Sequence, residues 1–143
     1  MQAFRTSFLV AVMAVAVVSC GNSESATPAA DPSSDHDEQR FPDVVDVLIE
    51  PLGDAEYRVA VTLSSPYDTP ERYADAWRVL DPEGAELGVR VLAHDHEGEQ
   101  PFTRDATVTI PDDVDVITVE GRDLVNGYGG SSRTAEVPAR TAG

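Results

Sequence analysis

The sequence predicts an all-β fold, an antiparallel β-sandwich of about seven short strands that occupies residues 41–138. Apolar residues recur at every second position in several short runs, as expected for strands with one buried face. Gly, Pro, Asn and Asp separate these runs, and no eleven-residue window keeps a helical period. Seven strands with frequent turns are typical of immunoglobulin or fibronectin III domains, and a small β-barrel is the alternative architecture.

The first two strands are predicted on either side of the Gly53-Asp54 turn, between Phe41 and Pro66. The second strand has the clearer pattern, because its apolar residues alternate strictly with Arg, Ala and Thr. These apolar residues, which we expect on the core face, are Tyr57, Val59, Val61 and Leu63.

The third and fourth strands form a predicted hairpin around residues 81–84, Asp-Pro-Glu-Gly, where Pro takes the second turn position. Trp77 and Val79 point to the same face before the turn. A single Trp on the third strand agrees with the immunoglobulin-like interpretation, because such domains often bury a Trp there. After the turn, the alternating apolar residues are Leu87, Val89 and Val91.

Three further strands complete the prediction. The fifth strand places Ala106, Val108 and Ile110 on one face, and the sixth lies within residues 114–125. Turns are predicted at Asn126-Gly127 and again at Gly129-Gly130, before a last strand that ends near Pro138. Residues 139–143 are predicted to be a flexible tail.

The N-terminus has the features of an export signal. Arg5 precedes an apolar run of eleven residues, Phe8 to Val18, which is shorter than the roughly 20 residues of a membrane-spanning helix. The run ends in Val-Val-Ser-Cys, which resembles a bacterial lipobox. The resemblance implies that residues 1–19 are a lipoprotein signal peptide and that the thiol of Cys20 carries the lipid. Cys20 then anchors the chain in the membrane through acyl chains such as palmitate, and no cysteine remains for a disulfide.

Residues 20–40 are predicted to be an acylated Cys followed by a disordered tether. Residues 21–40 contain no Val, Ile, Leu or aromatic residue, so they lack the apolar surface that would offset the entropy of ordering. His36 lies between two Asp residues in this stretch, and we interpret it as solvated.

The strongly acidic composition excludes one class of partner. The chain has 26 acidic residues and ten basic ones, all Arg, for a net charge of −16. Such a chain is repelled by nucleic acid phosphates, so no nucleic-acid partner is expected. We interpret the acids as a solvated coat that maintains solubility, which also suits high salt.

One long segment resembles a group of small exported bacterial proteins. It comprises "YADAWRVLDPEGAELGVRVLAHDHEGEQPFTR" and the later "TVEGRDLVNGYGG", within residues 57–137. The pattern of that group includes His-x-His-x-x-Glu-Gln-Pro-Phe-Thr-Arg and a Gly-aromatic-Gly-Gly turn. This chain departs from it at Asp95, where the group has Pro, and at Asn126, where the group has His. The resemblance implies an exported β-domain and no particular activity.

The stretch "HDHEGEQPFTR" contains a candidate metal site. If the fourth strand continued through it, His94 and His96 would face the same side, and Glu99 would be a third ligand. Imidazole and carboxylate ligands of this kind bind zinc or copper. A histidine at position 126 would supply another ligand in the related proteins, and its replacement by Asn126 weakens the hypothesis.

The alternative interpretation of the same stretch is structural. His94, Glu99, Gln100 and Arg104 would form a hydrogen-bonded polar cluster or a partner-binding loop, with Phe102 in the core. Gln100 precedes a proline, which favours an extended backbone. Farther along the chain, Arg122 and Asp123 are predicted to pair with neighbours or with Arg104 and Asp105.

The function predicted from the sequence is that of a lipid-anchored extracytoplasmic module of the bacterial cell envelope. It is expected to bind a partner or support the envelope without catalysis. The first alternative is a zinc- or copper-binding envelope protein that uses His94, His96 and Glu99. A hydrolase-type enzyme ranks third and last. No nucleophile motif or catalytic carboxylate pair is recognisable in the sequence.

Overall fold

The computed structural model describes residues 39–140 and shows seven β-strands in two antiparallel sheets. The predicted signal peptide, Cys20 and most of the predicted tether lie outside the described residues, as do residues 141–143. The seven-stranded antiparallel sandwich predicted from the sequence is confirmed. The strands are β1 (Asp43–Gly53), β2 (Glu56–Ser64), β3 (Ala74–Leu80), β4 (Glu86–Val91), β5 (Phe102–Thr109), β6 (Val116–Asp123) and β7 (Gly127–Glu136).

One sheet has three strands in the order β1-β2-β5, and the other has four in the order β4-β3-β6-β7. The chain changes sheets between β2 and β3, between β4 and β5, and between β5 and β6. All strand pairs are antiparallel, and successive strands run in opposite directions. The start of every odd-numbered strand and the end of every even-numbered strand therefore lie at the same end of the sandwich. No helix in the described range is long and apolar enough to cross a membrane.

The core lies between the two sheets and is built from the alternating residues of the inner faces. Trp77 on β3 is fully buried, as predicted, and so are the inward residues of β2. The members with less than 2% exposure that form this cluster are Val59, Val61, Leu63, Ala74, Trp77, Val79, Ile110, Ile117 and Val119. Burial of each large apolar side chain contributes about 1.5–3 kcal/mol, so these two faces dominate the stability of the domain.

Three of the four predicted turns are found, and the fourth prediction is wrong. The turn predicted at Asn126-Gly127 connects β6 to β7. The β1–β2 turn passes through Asp54 at positive φ, and Asp81 accepts the Gly84 N–H at 3.0 Å in the β3–β4 turn. Gly129 and Gly130, however, lie inside β7 and not in a turn. Phe41 and Pro42 pack directly against these glycines, which lack the Cβ atoms that would prevent the contact.

The end of the sandwich where the predicted tether joins the domain carries three loops, and we call it the tether end. It comprises residues 39–42, the β2–β3 loop (65–73), the β4–β5 loop (92–101) and the β6–β7 turn (124–126). Contacts within the domain extend two residues past the predicted boundary on each side. Gln39 donates to the backbone oxygen of Ser64 at 3.2 Å, and Arg140 donates to that of Ile110 at 2.8 Å.

Candidate binding site at the tether end

The predicted site residues of the "HDHEGEQPFTR" stretch lie in the β4–β5 loop of the tether end. Because β4 ends at Val91, the alternation of a strand does not apply to His94 and His96. A short 3-10 helix, Glu97–Glu99, follows them and leads to an extended Gln100. The two histidines differ in burial, since His94 is exposed and His96 is buried.

His96 is a buried side chain, with 2% of its side-chain surface exposed. Its ring stacks on Phe102 with a centroid distance of 3.8 Å and an angle of 9°. Its Nδ1 atom has no hydrogen-bond partner among residues 39–140 and lies 4.0 Å from the carboxylate of Asp68. Burial, followed by the positive charge of Arg104, lowers the pKa of His96. The folded domain therefore favours the neutral imidazole.

His94 is exposed, and its Nδ1 atom lies 2.7 Å from the backbone oxygen of Asp95. The rings of His94 and His96 are 4.8 Å apart between centroids. Glu99 accepts a hydrogen bond from Arg104 at 2.7 Å, which lowers the pKa of the Glu99 carboxyl. Within residues 39–140, no group of three or more His, Cys, Asp or Glu side chains is arranged to hold a metal ion. Zinc or copper binding stays a prediction from the sequence.

Gln100 connects the β4–β5 loop to the β2–β3 loop. Its side-chain oxygen accepts the backbone N–H of Ser65 at 2.7 Å, and its side-chain nitrogen donates to the Ser65 hydroxyl at 3.2 Å and to the His96 backbone oxygen at 3.1 Å. The polar residues of the stretch therefore form two separate groups. Gln100 fixes the loops to each other, whereas Arg104 and Glu99 pair near the surface.

Asp68, which was not among the residues predicted for the site, is the central polar residue of the tether end. Its side chain is fully buried, with one carboxylate oxygen accepting the backbone N–H of Ala74 and the other that of His96, both at 3.0 Å. Burial raises the pKa of its carboxyl. Asp68 thus holds the β2–β3 loop, the start of β3 and the β4–β5 loop together. No local motif around it predicts the connection to the β4–β5 loop, because His96 is 28 positions away in the sequence.

Arg122 and Asp123 are neighbours in the chain but have different partners. Arg122 makes a two-pronged ion pair with Asp75, with distances of 2.9 and 2.8 Å. Asp123 is buried and accepts a hydrogen bond from Arg72 at 3.2 Å. The alternative of pairing with Arg104 and Asp105 is wrong, because those two residues lie on β5 of the other sheet and pair with Glu99 and Arg58.

The outer face of the four-stranded sheet carries a cation–π contact. The guanidinium of Arg78 lies 3.8 Å from the centroid of the Tyr128 ring, and Arg78 also pairs with Glu120 at 2.8 Å. Tyr128 therefore packs across the sheet, from β7 to β3. At partly exposed sites such contacts contribute about 0.5–1 kcal/mol.

We expect acid to destabilise the domain through His96. Because its folded pKa lies below the ordinary value of 6.5, the unfolded chain binds a proton first as the pH falls through that value. The free energy of unfolding then falls progressively as the pH decreases from about 6.5 to the pKa of His96 in the folded domain. Thermal melts between about pH 8 and about pH 5 check this.

The control variants separate His96 from the other titrating groups. His96→Phe keeps a planar ring against Phe102 and should reduce the loss of melting temperature on acidification, whereas the exposed variant His94→Gln should retain it. The raised pKa of Asp68 acts in the opposite direction, since protonation of that buried carboxyl stabilises the folded state. If acidification lowers the melting temperature equally in the wild type and in His96→Phe, His96 is not the group that destabilises the domain in acid.

Comparison with known proteins gives one relative. The chain is 35% identical over 113 residues to a protein of Halomicrobium mukohataei named "Putative lipoprotein". The match covers 79% of this chain and 56% of the relative, so the chain spans little more than half of the relative's length. No family model matches the chain, and no solved structure matches it at a significant level.

Proposed function

We propose that the protein is a lipid-anchored extracytoplasmic β-sandwich that acts as a non-catalytic binding or envelope-structural module. The observation that carries this proposal is the Val-Val-Ser-Cys sequence at the end of the apolar N-terminal run, which resembles a lipobox with Cys20 as the acylated residue. The 35% identity to a protein named "Putative lipoprotein" supports it. In this proposal the domain lies outside the cytoplasmic membrane and is held there by acyl chains on Cys20.

The use of polar side chains at the tether end supports a binding or structural role over a catalytic one. Asp68 and Gln100 hold loops through backbone groups, and Asp123 holds a turn. In the ion pairs Arg122–Asp75 and Arg104–Glu99, the guanidinium nitrogen lies 2.8 and 2.7 Å, respectively, from the carboxylate oxygen. A catalytic acid or base needs a proton-transfer position open to substrate, whereas these groups are engaged in fixing the loops.

We also propose that the β-sandwich is immunoglobulin-like, and the order of its strands supports this. A three-stranded sheet packed on a four-stranded sheet, with a buried Trp on the third strand, is the arrangement expected for such a domain. Domains of this architecture present loops at the ends of the sandwich to partners, but the architecture itself specifies no partner.

Lipid attachment at Cys20 is tested on the full chain in a host that processes lipoproteins. We expect the wild-type protein to partition into the detergent phase, and mass spectrometry to find an acylated N-terminal peptide that begins at Cys20. Cys20→Ser should partition into the aqueous phase, because it removes the acylated thiol. Ser19→Ala keeps a small residue before the cysteine and should behave as wild type. An unmodified Cys20 in the wild-type protein would falsify the proposal.

A further inference from the structure

The β6–β7 turn presents two large apolar side chains to solvent at the tether end. Leu124 is 45% exposed and Val125 is 67% exposed, the highest fraction among the exposed large apolar residues. They are adjacent in the chain and form the tip of the hairpin. Two adjacent apolar side chains at a turn are unusual, because turn positions otherwise favour Gly, Pro, Asn and Asp.

This turn is held firmly by the buried residue that precedes it. One carboxylate oxygen of Asp123 accepts the backbone N–H groups of Val125 at 3.0 Å and of Asn126 at 2.7 Å, together with the side-chain amide of Asn126 at 2.7 Å. The backbone N–H of Leu124 donates to Tyr73 at 2.9 Å. Leu124 and Val125 are therefore displayed on a fixed backbone, which reduces the entropy lost when they are buried against a partner.

The chain enters the domain directly beside the same turn. The Asn126 side chain donates to the backbone oxygen of Arg40 at 3.2 Å, and Arg72 donates to that of Gln39 at 2.7 Å. Residues 21–38 separate this point from Cys20. For the disordered tether that the sequence predicts, a linker of this length spans about 25 Å on average, so an anchored domain would keep its tether end within reach of the lipid surface.

We propose that the anchored domain docks on the lipid surface itself through Leu124 and Val125, with the tether end facing the membrane. This inference rests on the proposed lipid anchor. The tether supplies a high local concentration of the lipid surface, so two apolar side chains are enough for docking that the free domain does not show. The patch is too small for a stable protein–protein interface, which buries at least about 1,000 Å² in total.

The charges around the turn favour an uncharged lipid surface over an anionic one. Glu71 and Glu97 are exposed on the neighbouring loops, and Arg40 is exposed beside the turn. With a net charge of −16 the whole chain is repelled by anionic headgroups, so docking depends on apolar contact. Docking on an uncharged surface should therefore depend little on salt, whereas salt that screens these acids should reduce the repulsion from an anionic surface.

The test uses the full acylated chain in phosphatidylcholine vesicles that contain a nitroxide-labelled lipid. An uncharged, apolar fluorophore, which keeps an apolar group at the tip of the turn, is attached to Val125→Cys or, as the matched control, to Leu52→Cys. Leu52 is 55% exposed, but it lies near the far end of β1, about 30 Å from the tether end at 3.3 Å per residue. We expect quenching at position 125 to exceed quenching at position 52 at least threefold. Adding Leu124→Asn should lower the quenching at position 125 towards that at position 52.

The outcomes separate this inference from the lipid-anchor proposal. If the wild-type chain does not float with vesicles, the anchor is absent and the inference fails with it. If the chain floats but positions 125 and 52 are quenched equally, the anchor stands and docking through the turn is overturned. A spectral shift at position 125 that depends on protein concentration without vesicles would indicate pairing with a second copy, and it would also overturn the inference.

Discussion

We expect Asp68→Ala to lower the free energy of unfolding by about 2–4 kcal/mol. The substitution removes the acceptor of two buried backbone N–H groups, those of Ala74 and His96. Each buried donor left without a partner costs about 1–3 kcal/mol, and relief of the buried carboxylate's own desolvation offsets a part of that loss. Chemical unfolding in urea, followed by tryptophan fluorescence of Trp77, measures the change.

Asp81→Ala is the matched control for this prediction. The Asp81 carboxylate also accepts two backbone N–H groups, from Glu83 at 2.9 Å and from Ala85 at 2.8 Å, but these bonds lie in an exposed turn. Water replaces the lost acceptor there, so we expect a loss of about 0.5–1 kcal/mol. Equal losses for the two variants would show that burial of Asp68 does not determine its contribution. Asp68→Asn keeps one carbonyl acceptor and should lie between wild type and Asp68→Ala.

The second large effect is expected for Gly130→Ala, which should lower the free energy of unfolding by about 2–5 kcal/mol. Gly130 has a φ of +80°, and a Cβ atom added there would lie 2.3 Å from the backbone oxygen of Pro42. The left-handed conformation costs a residue with a Cβ about 1–2 kcal/mol, and relief of the clash adds about 1–3 kcal/mol. Because the clashing atom belongs to the backbone, the chain entering the domain must move.

Gly127→Ala separates the conformational cost from the clash. Gly127 has a φ of +83°, almost the same as that of Gly130, but a Cβ atom there would meet nothing within 4 Å. We expect this variant to lose only the conformational part, about 1–2 kcal/mol. A loss for Gly130→Ala no greater than that for Gly127→Ala would contradict the close packing of Phe41 and Pro42 on β7. Thermal and urea unfolding of both variants provide the comparison.

Both predictions concern the same structural problem, which is how loops from two sheets are joined at the tether end. Asp68 joins the β2–β3 and β4–β5 loops, whereas Gly130 lets the entering chain cross against β7. The backbone N–H of Ser131 also donates to the Asp43 side chain at 2.8 Å on this crossing. Loss of either connection should loosen the surface from which Leu124 and Val125 project, in addition to lowering global stability.

The sequence by itself determined the local features of this protein. The alternation of Tyr57, Val59, Val61 and Leu63 predicts a strand because side chains of a strand face opposite sides with a period of two. The Asp-Pro-Glu-Gly turn, the buried Trp77 and the number of strands follow from the same short-range patterns. These patterns are readable because burial of one face depends on residues that are close in the chain.

The tertiary structure alone decided which distant residues meet. Asp68 and His96 are 28 positions apart, Arg72 and Asp123 are 51 apart, and Asp43 and Ser131 are 88 apart. His94 and His96 were predicted to share a face of a strand, but they lie beyond the end of β4, where their rings are adjacent and only His96 is buried. Gly129 and Gly130 have the composition of a turn, yet they lie in a strand because Phe41 and Pro42 pack on them. Such contacts depend on the order of strands in each sheet and on the crossings between sheets, which local periodicity does not encode.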